Sequence, residues 1–384
     1  MKYTVIGAGM MGSAAAYDLA KTNPGDEIVI ADVNLQRATQ AAREIGANVK
    51  PLRLDVNNPD DLKKALEGSN AAISAVSYSV NYQINKAALE VGVHVTDLGG
   101  NNDVVQKQLT LNEEAKRRGI TIVPNSGLAP GLMNVLTMEG TREFGELDSI
   151  HIRVGGLPQN PRPPLYYQIV FSVDGLINEY VEKASVIRDG KVMSIDPMSG
   201  LEEVTFSEPF GTLEAFNTSG GLSTLTHLLE KKVRNLDYKT IRYKGHCEKF
   251  KTLLDLGFAT NEPMMVGGSV KTNREFFADL LRKKLDYGDK DAVLARTTIT
   301  GRNGNAQKSL TYEFIDYYDN EAKMTAMMRT TAFPASIIAQ MLARGVVQER
   351  GVLPPEVCIP GKLMIEELGK RNLRITKKVT EIWS

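Results

Sequence analysis

Short apolar runs alternate with longer amphipathic segments over residues 1–125. The apolar runs have the length of buried strands and lie at 3–6, 27–31, 49–54, 71–76, 94–98 and 121–123. The segments between them predict helices over 13–19, 34–45, 58–66, 83–91 and 103–118. Because strands that alternate with helices form a parallel sheet covered on both faces, the pattern predicts an α/β fold with a doubly wound Rossmann-type sheet.

The pattern of apolar positions changes after Pro130. Runs at hairpin-like spacing predict strands over 149–155, 168–173 and 184–188. Two longer segments, 292–301 and 308–318, alternate apolar and polar residues around an Arg-Asn-Gly-Asn turn, which is typical of a β-hairpin. This part of the chain therefore predicts a second, α+β domain with a mixed or antiparallel sheet, one face covered by helices and the other open.

An apolar helix predicted over 334–342 returns the chain to the first domain. We therefore expect a dinucleotide-binding Rossmann domain formed by residues 1–125 and 333–384. Residues 126–332 are expected to form a substrate-binding and dimerisation domain. The open face of the second sheet makes a homodimer or a higher homo-oligomer the expected assembly.

Composition and charge exclude several classes of protein. The 384 residues are 42% hydrophobic, and 46 basic residues balance 46 acidic ones, so no basic field indicates a nucleic-acid partner. No apolar run approaches the roughly 18 residues of a membrane helix, and we expect no membrane partner. Two cysteines, Cys247 and Cys358, make no disulfide framework, which favours a cytoplasmic setting. The histidines show no metal-ligand spacing, so no metal is expected.

A glycine-rich turn follows the first predicted strand directly. Gly7, Gly9 and Gly12 have the spacing G-x-G-x-x-G and precede a helix of small residues. In a dinucleotide-binding unit the first glycine allows a tight turn, the second lets the backbone approach the pyrophosphate, and the third lets helix and strand pack closely. Together with Met10 and Met11 at the start of the helix, they predict a site for the phosphates of a dinucleotide.

Asp32 ends the second predicted strand, twenty residues past the last glycine of the motif. A carboxylate there accepts a hydrogen bond from the ribose hydroxyl of NAD and repels the 2′-phosphate of NADP, so we expect NAD. A glycine turn that only packed the βαβ unit would not need this acid. Arg37, the nearby cation, is expected to be a solvated helix residue. Because ligands lie beyond the carboxyl ends of such strands, Val76, Ser77 and Leu98 are further candidates for cofactor contact.

Segments along nearly the whole chain resemble the saccharopine dehydrogenase family. The similar segments are Arg-Leu-Asp-Val-Asn at 53–57, Gly-Leu-Ala-Pro-Gly at 127–131, Gly-Gly-Leu-Pro at 155–158, Pro-Leu-Tyr-Tyr at 164–167, Thr-Ile-Arg-Tyr-Lys-Gly-His at 240–246 and Gly-Val-Leu-Pro-Pro-Glu at 351–356. The resemblance implies an oxidoreductase of amino-acid metabolism. It also implies that Asp55 and Val56 lie at the adenine side of the cofactor.

Two departures from the family's pattern favour a small substrate. Ala129 stands where the family has Asp in its Gly-Leu-Asp-Pro-Gly turn, and residues 216–220 hold no cation where the saccharopine-reducing branch has Arg. Saccharopine carries three carboxylates, whereas a single carboxylate needs only one bidentate partner such as Arg242. The resemblance and these departures predict NAD-dependent oxidation of the ε-amine of L-lysine to allysine, which cyclises to piperideine-6-carboxylate.

The candidate site residues are polar or aromatic side chains within or beside these segments. They are Asp97 and His246 as catalytic residues, and Arg242, Thr240, Tyr167 and Thr218 as substrate-binding residues. Structural alternatives stay open: Asp97 would cap a turn, and His246 would be a satisfied buried histidine. Arg242 would pair with a structural carboxylate, and Tyr167 would pack against the sheet.

Cys247 follows His246 on what the pattern predicts to be a strand. Neighbouring residues of a strand point to opposite faces, so we expect no nucleophilic pair there. Two other functions remain open. One is a family enzyme for larger imine-linked substrates, such as a saccharopine reductase or a carboxyspermidine-type dehydrogenase, which the missing cations disfavour. The other is an NAD-sensing protein without turnover.

Overall fold

The computed structural model describes residues 1–383 and divides into two compact units. The first unit contains Met1–Arg142 and Met328–Arg374, and the second contains Glu143–Met327 and the chain from Ile375. Both segments of the first unit therefore have bounds that differ from the predicted 1–125 and 333–384. Residues 126–142 join the nucleotide-binding unit, and the chain from Ile375 leaves it because the last strand pairs within the second sheet.

Seven parallel strands form the sheet of the first unit. They are β1 (Lys2–Ile6), β2 (Glu27–Asp32), β3 (Val49–Arg53), β4 (Ala71–Ser74), β5 (His94–Asp97), β6 (Thr121–Val123) and β17 (Gly351–Val352). Their order is β17-β6-β5-β4-β1-β2-β3, and every pair is parallel. The predicted doubly wound sheet is confirmed. The added strand β17 has two residues, too few for an apolar pattern to mark it.

Helices connect and cover these strands. They are α1 (Met10–Thr22), α2 (Leu35–Ile45), α3 (Pro59–Leu66), α4 (Asn81–Val91), α5 (Asn102–Leu109), α6 (Asn112–Arg117), α7 (Leu132–Thr141), α12 (Ala326–Ala343, mostly in this unit), α13 (Pro355–Cys358) and α14 (Gly361–Lys370). The single helix predicted over 103–118 is two, because the chain breaks at Thr110 and Leu111. Helix α3 begins where the sequence indicates, since the Asn58 side chain accepts hydrogen bonds from the Asp60 and Asp61 amides.

The second unit is built on a nine-stranded sheet and a separate small hairpin. The strands are β7 (Glu146–Pro158), β8 (Ala184–Arg188), β9 (Lys191–Ile195), β10 (Glu202–Thr205), β11 (Thr212–Asn217), β12 (Val233–Arg242), β13 (Pro263–Val266), β14 (Ser269–Thr272), β15 (Asp291–Asn303), β16 (Ala306–Tyr317) and β18 (Thr376–Trp383). The main order is β10-β11-β12-β7-β15-β16-β18, with β8 paired to β12 and β9. Only β12 and β7 run parallel, so the predicted mixed sheet is confirmed.

Four helices belong to the second unit: α8 (Val173–Val181), α9 (Leu225–Leu229), α10 (His246–Asp255) and α11 (Asn273–Leu285). The predicted β15–β16 hairpin is present, with Asn303 paired to Ala306. The strand predicted over 168–173 is wrong, because this segment is a loop that leads into α8. The chain also leaves the sheet after Arg242, so His246 begins a helix rather than extending a strand.

The two faces of the second sheet are covered differently. An apolar core joins Phe216 of β11 to residues of α8, α10 and α11. On the opposite face, Phe206 and Phe210 cover one end. Beyond them lie ion pairs such as Arg153 with Asp237, whose atoms are 2.6 Å apart. The face that was expected to be open is therefore apolar and covered at one end, and polar over the rest.

Among the residues that the structure describes, no helix has both the length and the apolar character needed to cross a membrane.

Candidate functional site

The turn after β1 needs two of its three glycines for its own packing. Gly7 has φ +103°, and a Cβ atom built on it would lie 2.7 Å from the Ala75 carbonyl oxygen. A Cβ on Gly12 would lie 1.8 Å from the Gly7 carbonyl oxygen. These contacts join the first turn of α1 to the chain after β1 and β4, so neither position accommodates a side chain without backbone movement.

Gly9 differs, because nothing in the protein requires it to be glycine. Its φ is −77°, and a Cβ atom there would meet nothing within 4 Å. Gly9 caps α1 without a side-chain hydrogen bond, so no capping side chain satisfies the first amides of that 13-residue helix. A bound pyrophosphate explains both features, since it needs close backbone approach and free N–H groups. The Gly9 turn therefore fits the phosphates of a dinucleotide.

Asp32 is held at the carboxyl end of β2. Its Oδ2 accepts a hydrogen bond of 2.9 Å from the Ala8 amide, and its Oδ1 accepts one of 2.9 Å from the Asn34 amide. A carboxylate has about four acceptor positions, so capacity remains for a ribose hydroxyl. Arg37 is largely exposed, as expected, with Nη1 3.9 Å from Asp32 Oδ2.

The remaining predicted cofactor residues share one edge of the sheet. Strands β1 and β4 are neighbours, and the chain order runs outward from them in both directions, which makes this the topological switch point. Val76 and Ser77 follow β4, and Leu98 follows β5. Asp55 and Val56 follow β3, where Asp55 is exposed and accepts a 2.9 Å hydrogen bond from the Asn57 amide. Their contact with a cofactor stays a prediction.

Asp97 is fully buried in the first unit, and internal donors reach both of its oxygens. Oδ1 accepts hydrogen bonds from the Gly99 amide at 2.8 Å and the Asn125 amide at 3.2 Å. Oδ2 accepts one from Gln108 Nε2 at 2.6 Å. Burial raises the pKa of the Asp97 carboxyl, while these donors oppose the rise. The geometry favours the alternative in which Asp97 fixes the turn after β5.

Arg242 ends β12 and is buried, yet it has no counterion. Its Nε–H donates a 2.8 Å hydrogen bond to the Tyr180 hydroxyl, and Nη1 donates one of 2.9 Å to the Ile241 carbonyl. Its guanidinium carbon lies 4.6 Å from the ring centre of Tyr167. No carboxylate of the described chain lies within 4.0 Å of it, and no described acceptor binds Nη2. A structural ion pair therefore does not explain Arg242, and the site fits an anionic ligand.

Tyr167 packs against this guanidinium and is fully buried. Its hydroxyl completes no hydrogen bond of good geometry with a described residue, although the nearby Val170 amide opposes the rise in its pKa. Burial raises the pKa of Tyr167 to about 12, so the phenol is neutral. Tyr167 thus serves core packing and also leaves a buried hydroxyl beside Arg242 without a partner.

His246 is also fully buried, and both ring nitrogens have partners. Nδ1 lies 2.8 Å from the Leu165 carbonyl oxygen, which requires this nitrogen to carry the proton. Nε2 is then an acceptor, 3.1 Å from the Tyr180 hydroxyl. Burial lowers the pKa of His246 to about 3, so the ring is neutral. This geometry favours the satisfied buried histidine, which orients Tyr180, over a proton-accepting role.

The start of α10 explains why the strand prediction failed at His246. Gly245 has φ +86° and turns the chain out of the sheet. Buried Glu214 of β11 then accepts hydrogen bonds from the amides of Gly245 at 2.7 Å and Cys247 at 2.6 Å. Burial raises the pKa of the Cys247 thiol to about 12. Both ring nitrogens of His246 have partners other than Cys247. The expectation that the two residues are neighbours on a strand is wrong, because they begin a helix.

Thr218 and Thr240 are buried near each other. Their hydroxyl oxygens are 2.7 Å apart, because Thr240 lies opposite Phe216 in the β11–β12 register and Thr218 follows two residues later. The second unit therefore brings together the four predicted substrate-binding residues with His246, whereas Asp97 belongs to the first unit. Whether these residues bind substrate stays a prediction.

Sequence reasoning missed Glu179 and Tyr180 of α8. Tyr180 connects Arg242 to His246. Glu179 is half-buried. Burial raises the pKa of its carboxyl to about 7, while the charge of Arg242 opposes the rise. Helical spacing identifies the buried side of α8, but it does not indicate that a guanidinium on a distant strand lies beside it. The described residues contain no cluster of three or more His, Cys, Asp or Glu side chains suited to a metal ion.

Known protein families match nearly the whole chain. The profile of the saccharopine dehydrogenase NADP binding domain matches residues 3–123, and that of the saccharopine dehydrogenase C-terminal domain matches residues 127–373. The first domain is thus a pyridine-nucleotide-binding domain by family.

Individual relatives are distant. The chain is 25% identical to a saccharopine dehydrogenase (NADP(+), L-glutamate-forming) of Pyricularia oryzae over 59% of this chain and 52% of that enzyme. It is 25% identical to the carboxyaminopropylagmatine dehydrogenase of Synechocystis over 53% of each protein. The chain therefore spans about half the length of these two curated relatives.

The solved structure of apo saccharopine dehydrogenase (L-Glu forming) from Saccharomyces cerevisiae shares the fold. The TM-score is 0.80 at 20% sequence identity, and the superposition covers 99% of both chains. This likeness shows the fold, and the two profile matches show that the chain belongs to the saccharopine dehydrogenase family.

Proposed function

We propose that the protein is an NAD-dependent L-lysine 6-dehydrogenase, an oxidoreductase that acts on the ε-amine of L-lysine. The observation that carries this proposal is the unpaired charge of Arg242. Three other described cations buried in the second unit, Arg153, Lys239 and Lys308, each contact a carboxylate. A guanidinium without a counterion suits a substrate with one carboxylate that needs a protein partner.

The reaction converts L-lysine with a protonated ε-amine, NAD⁺ and water to allysine, NADH, ammonium and one proton. Bound NAD supplies the hydride acceptor, and the protein must hold the carbon that bears the amine against it. We propose that Arg242 binds the α-carboxylate, with Tyr167, Thr218 and Thr240 completing the substrate contacts. His246 is proposed as a positioning residue that acts through Tyr180.

The ε-amine must be neutral before it can lose hydride. Its solution pKa is about 10.4, so reaching the neutral form at pH 7 costs about 4.6 kcal/mol. His246 titrates too low to contribute near neutral pH. Asp97 was the other predicted catalytic residue, but its oxygens already accept internal hydrogen bonds, and we propose that it positions the turn after β5 instead. We therefore expect the rate to rise from about pH 7 towards about pH 10, whereas a flat profile contradicts rate-limiting deprotonation.

The choice of NAD over NADP rests on Asp32. The matching family profile is named for NADP, so the residues of this chain must decide the preference. Asp32 would face the ribose 2′ position with negative charge, which suits a hydroxyl and repels a phosphate. Largely exposed Arg37 is the nearby cation that could offset this repulsion. Gly7, Gly9, Met10, Met11 and Gly12 are proposed to hold the phosphates.

A second candidate is oxidation of a larger, imine-linked substrate, which the names of the relatives favour. Ala129 and the lack of a cation at 216–220 speak against a substrate with several carboxylates. Purified protein should form NADH with L-lysine and not with saccharopine. Turnover of saccharopine alone would support the second candidate, and no NADH with any amino acid would support an NAD sensor.

The homo-oligomeric assembly and the cytoplasmic setting stay predictions. The polar part of the second sheet includes partly exposed Glu202 and Arg188, whose side chains a second copy could cover. Light scattering of the purified protein measures the mass in solution, and a monomer would contradict the predicted homo-oligomer.

A further inference from the structure

We propose that Glu179 binds the α-ammonium group of the substrate while Arg242 holds its α-carboxylate, so that the second unit recognises a zwitterionic amino-acid head group. This inference rests on the proposed function and deepens it. It assigns a binding role to a carboxylate that no other feature of the fold explains.

Glu179 is anchored on both sides by the elements of the site. It precedes Tyr180 in α8, and the Tyr180 hydroxyl accepts the hydrogen bond from Arg242 Nε. The Glu179 carbonyl oxygen accepts a 3.0 Å hydrogen bond from the amide of Ser219, the residue after Thr218. The backbone of Glu179 is therefore fixed between the segment that holds Thr218 and the residue that orients Arg242.

The carboxylate of Glu179 has no structural partner. No Lys, Arg or His of the described chain lies within 4.0 Å of it, and its oxygens accept no hydrogen bond from a described residue. Glu214 provides the contrast, since both of its oxygens accept backbone hydrogen bonds at the start of α10. Glu179 is only partly buried, and because the protein gives its carboxylate no donor, both oxygens remain free to accept hydrogen bonds from a ligand.

The charges of Glu179 and Arg242 act on each other without forming a salt bridge. Arg242 lowers the pKa of Glu179, and Glu179 raises that of Arg242, although their charged atoms are more than 4.0 Å apart. An α-amino acid carries an ammonium and a carboxylate on one carbon, so it can contact both residues and leave the site neutral. Tyr167 and Tyr180 contact the guanidinium with neutral phenols, so neither of them offers Arg242 a counter-charge.

A different role for Glu179 would be to accept the proton of the ε-ammonium. That role predicts a loss of turnover for every amine substrate, whereas the head-group role predicts a loss only for ligands with an α-ammonium. The compound 6-aminohexanoate separates the two, because it keeps the carboxylate and the distal amine of lysine and lacks the α-amino group.

The test compares wild-type protein, Glu179→Gln and the control Glu182→Gln. Glu182 is the exposed residue that caps the C-terminal end of α8, three residues after Glu179, so its substitution removes the same charge from a side chain that solvent reaches. Calorimetric titration of the NADH-saturated protein gives the Kd of L-lysine and of 6-aminohexanoate without turnover. Steady-state assays with NAD give kcat and KM for both compounds.

Wild-type protein and Glu182→Gln should bind L-lysine about 10- to 100-fold more tightly than 6-aminohexanoate, as expected for one charge-assisted hydrogen bond. Glu179→Gln should bring this ratio close to one by weakening lysine alone. An unchanged ratio in Glu179→Gln overturns the proposal, and so does a loss of kcat for both compounds at unchanged Kd. Equal Kd values of the wild-type protein for L-lysine and 6-aminohexanoate would also overturn the proposal.

The same experiment separates this inference from the proposed function. If wild-type protein binds L-lysine with the expected preference but forms no NADH, lysine oxidation is wrong and the head-group site stands. If NADH forms from both compounds with equal Kd, lysine oxidation stands and the head-group site is wrong.

Discussion

The Nε–H of Arg242 donates a hydrogen bond of 2.8 Å to the hydroxyl of Tyr180, at the end of a buried strand where no described carboxylate lies within 4.0 Å. The hydroxyl in turn lies 3.1 Å from Nε2 of His246, whose Nδ1 is tied to the Leu165 carbonyl. This chain of hydrogen bonds through neutral Tyr180 and His246 therefore fixes the orientation of the guanidinium and leaves its charge unpaired. The predictions for the second unit follow from this arrangement.

Arg242→Ala should raise the KM for L-lysine by about 30-fold or more, because truncating a buried charge partner costs about 2–5 kcal/mol. The Kd for NAD, measured by fluorescence titration, should stay within about twofold of wild type. Arg153→Ala is a matched control, since Arg153 is an equally buried arginine whose partners are Glu202 and Asp237. Wild-type kinetics in Arg242→Ala would show that the substrate binds elsewhere.

Gly9→Ala should weaken NAD binding, whereas Gly12→Ala should lower the stability of the fold. A methyl group at Gly9 meets no protein atom, so the variant should fold with an unchanged melting temperature and bind NAD at least about tenfold more weakly. A methyl group at Gly12 overlaps the Gly7 carbonyl, so that variant should lose at least about 1–3 kcal/mol of unfolding free energy. Thermal unfolding and NAD titration check the pair. Unchanged NAD affinity in Gly9→Ala would place the pyrophosphate away from this turn.

Asp32→Ala should weaken NAD binding by about tenfold, through loss of hydrogen bonds to a charged group, and should narrow the preference over NADP. The KM for L-lysine should not change. Arg37→Ala serves as the control, since that exposed side chain lies only at the edge of ion-pair distance. A wild-type protein that prefers NADP would refute the role given to Asp32.

His246 should make stability depend on pH below neutrality. Its folded pKa of about 3 lies below the ordinary value of 6.5, so the unfolded chain binds the proton more readily. The stabilisation is therefore complete above about pH 6.5 and declines as the pH falls towards about 3. The stability gap between wild type and His246→Gln, measured by urea unfolding, should narrow over that range. A constant gap would mean that His246 is not buried as a neutral ring.

Glu179 should give the stability of the fold the opposite dependence on pH. Its folded pKa of about 7 lies above the ordinary 4.5, so the folded chain binds the proton more readily and ionisation of Glu179 destabilises the fold as the pH rises from about 4.5 past 7. Without ligand, Glu179→Gln should melt at a higher temperature than wild type near pH 8 and at a similar temperature near pH 5. Equal melting temperatures at both pH values would indicate that Glu179 is well solvated.

The parallel sheet could be predicted because most of its strands are short apolar runs buried on both faces, the edge strand β3 excepted. The sequence also identified the turn at Gly7 to Gly12, since local geometry demands glycine at two positions there. Strand β17 was missed because it has only two residues, and β18 because its polar sequence, Thr376–Trp383, gains order only by pairing with β16.

The site was predictable only where its residues lie in recognisable segments. The resemblance located Arg242, Thr240 and Tyr167, but their environment depends on long-range packing. The helix that begins at His246 requires Glu214 from another strand, which the chain between them does not reveal. Glu179 acquires its properties from Arg242, 63 residues later in the sequence, so only the folded structure identifies it.

Oxidation of the lysine ε-amine is tested most directly by following its nitrogen. Wild-type protein is incubated with NAD and L-lysine that carries a heavy-isotope label on the ε-nitrogen, and released ammonium and NADH are quantified together. We expect labelled ammonium and NADH in equal amounts. Unlabelled ammonium, which would come from the α-amino group, or no NADH at all would contradict it.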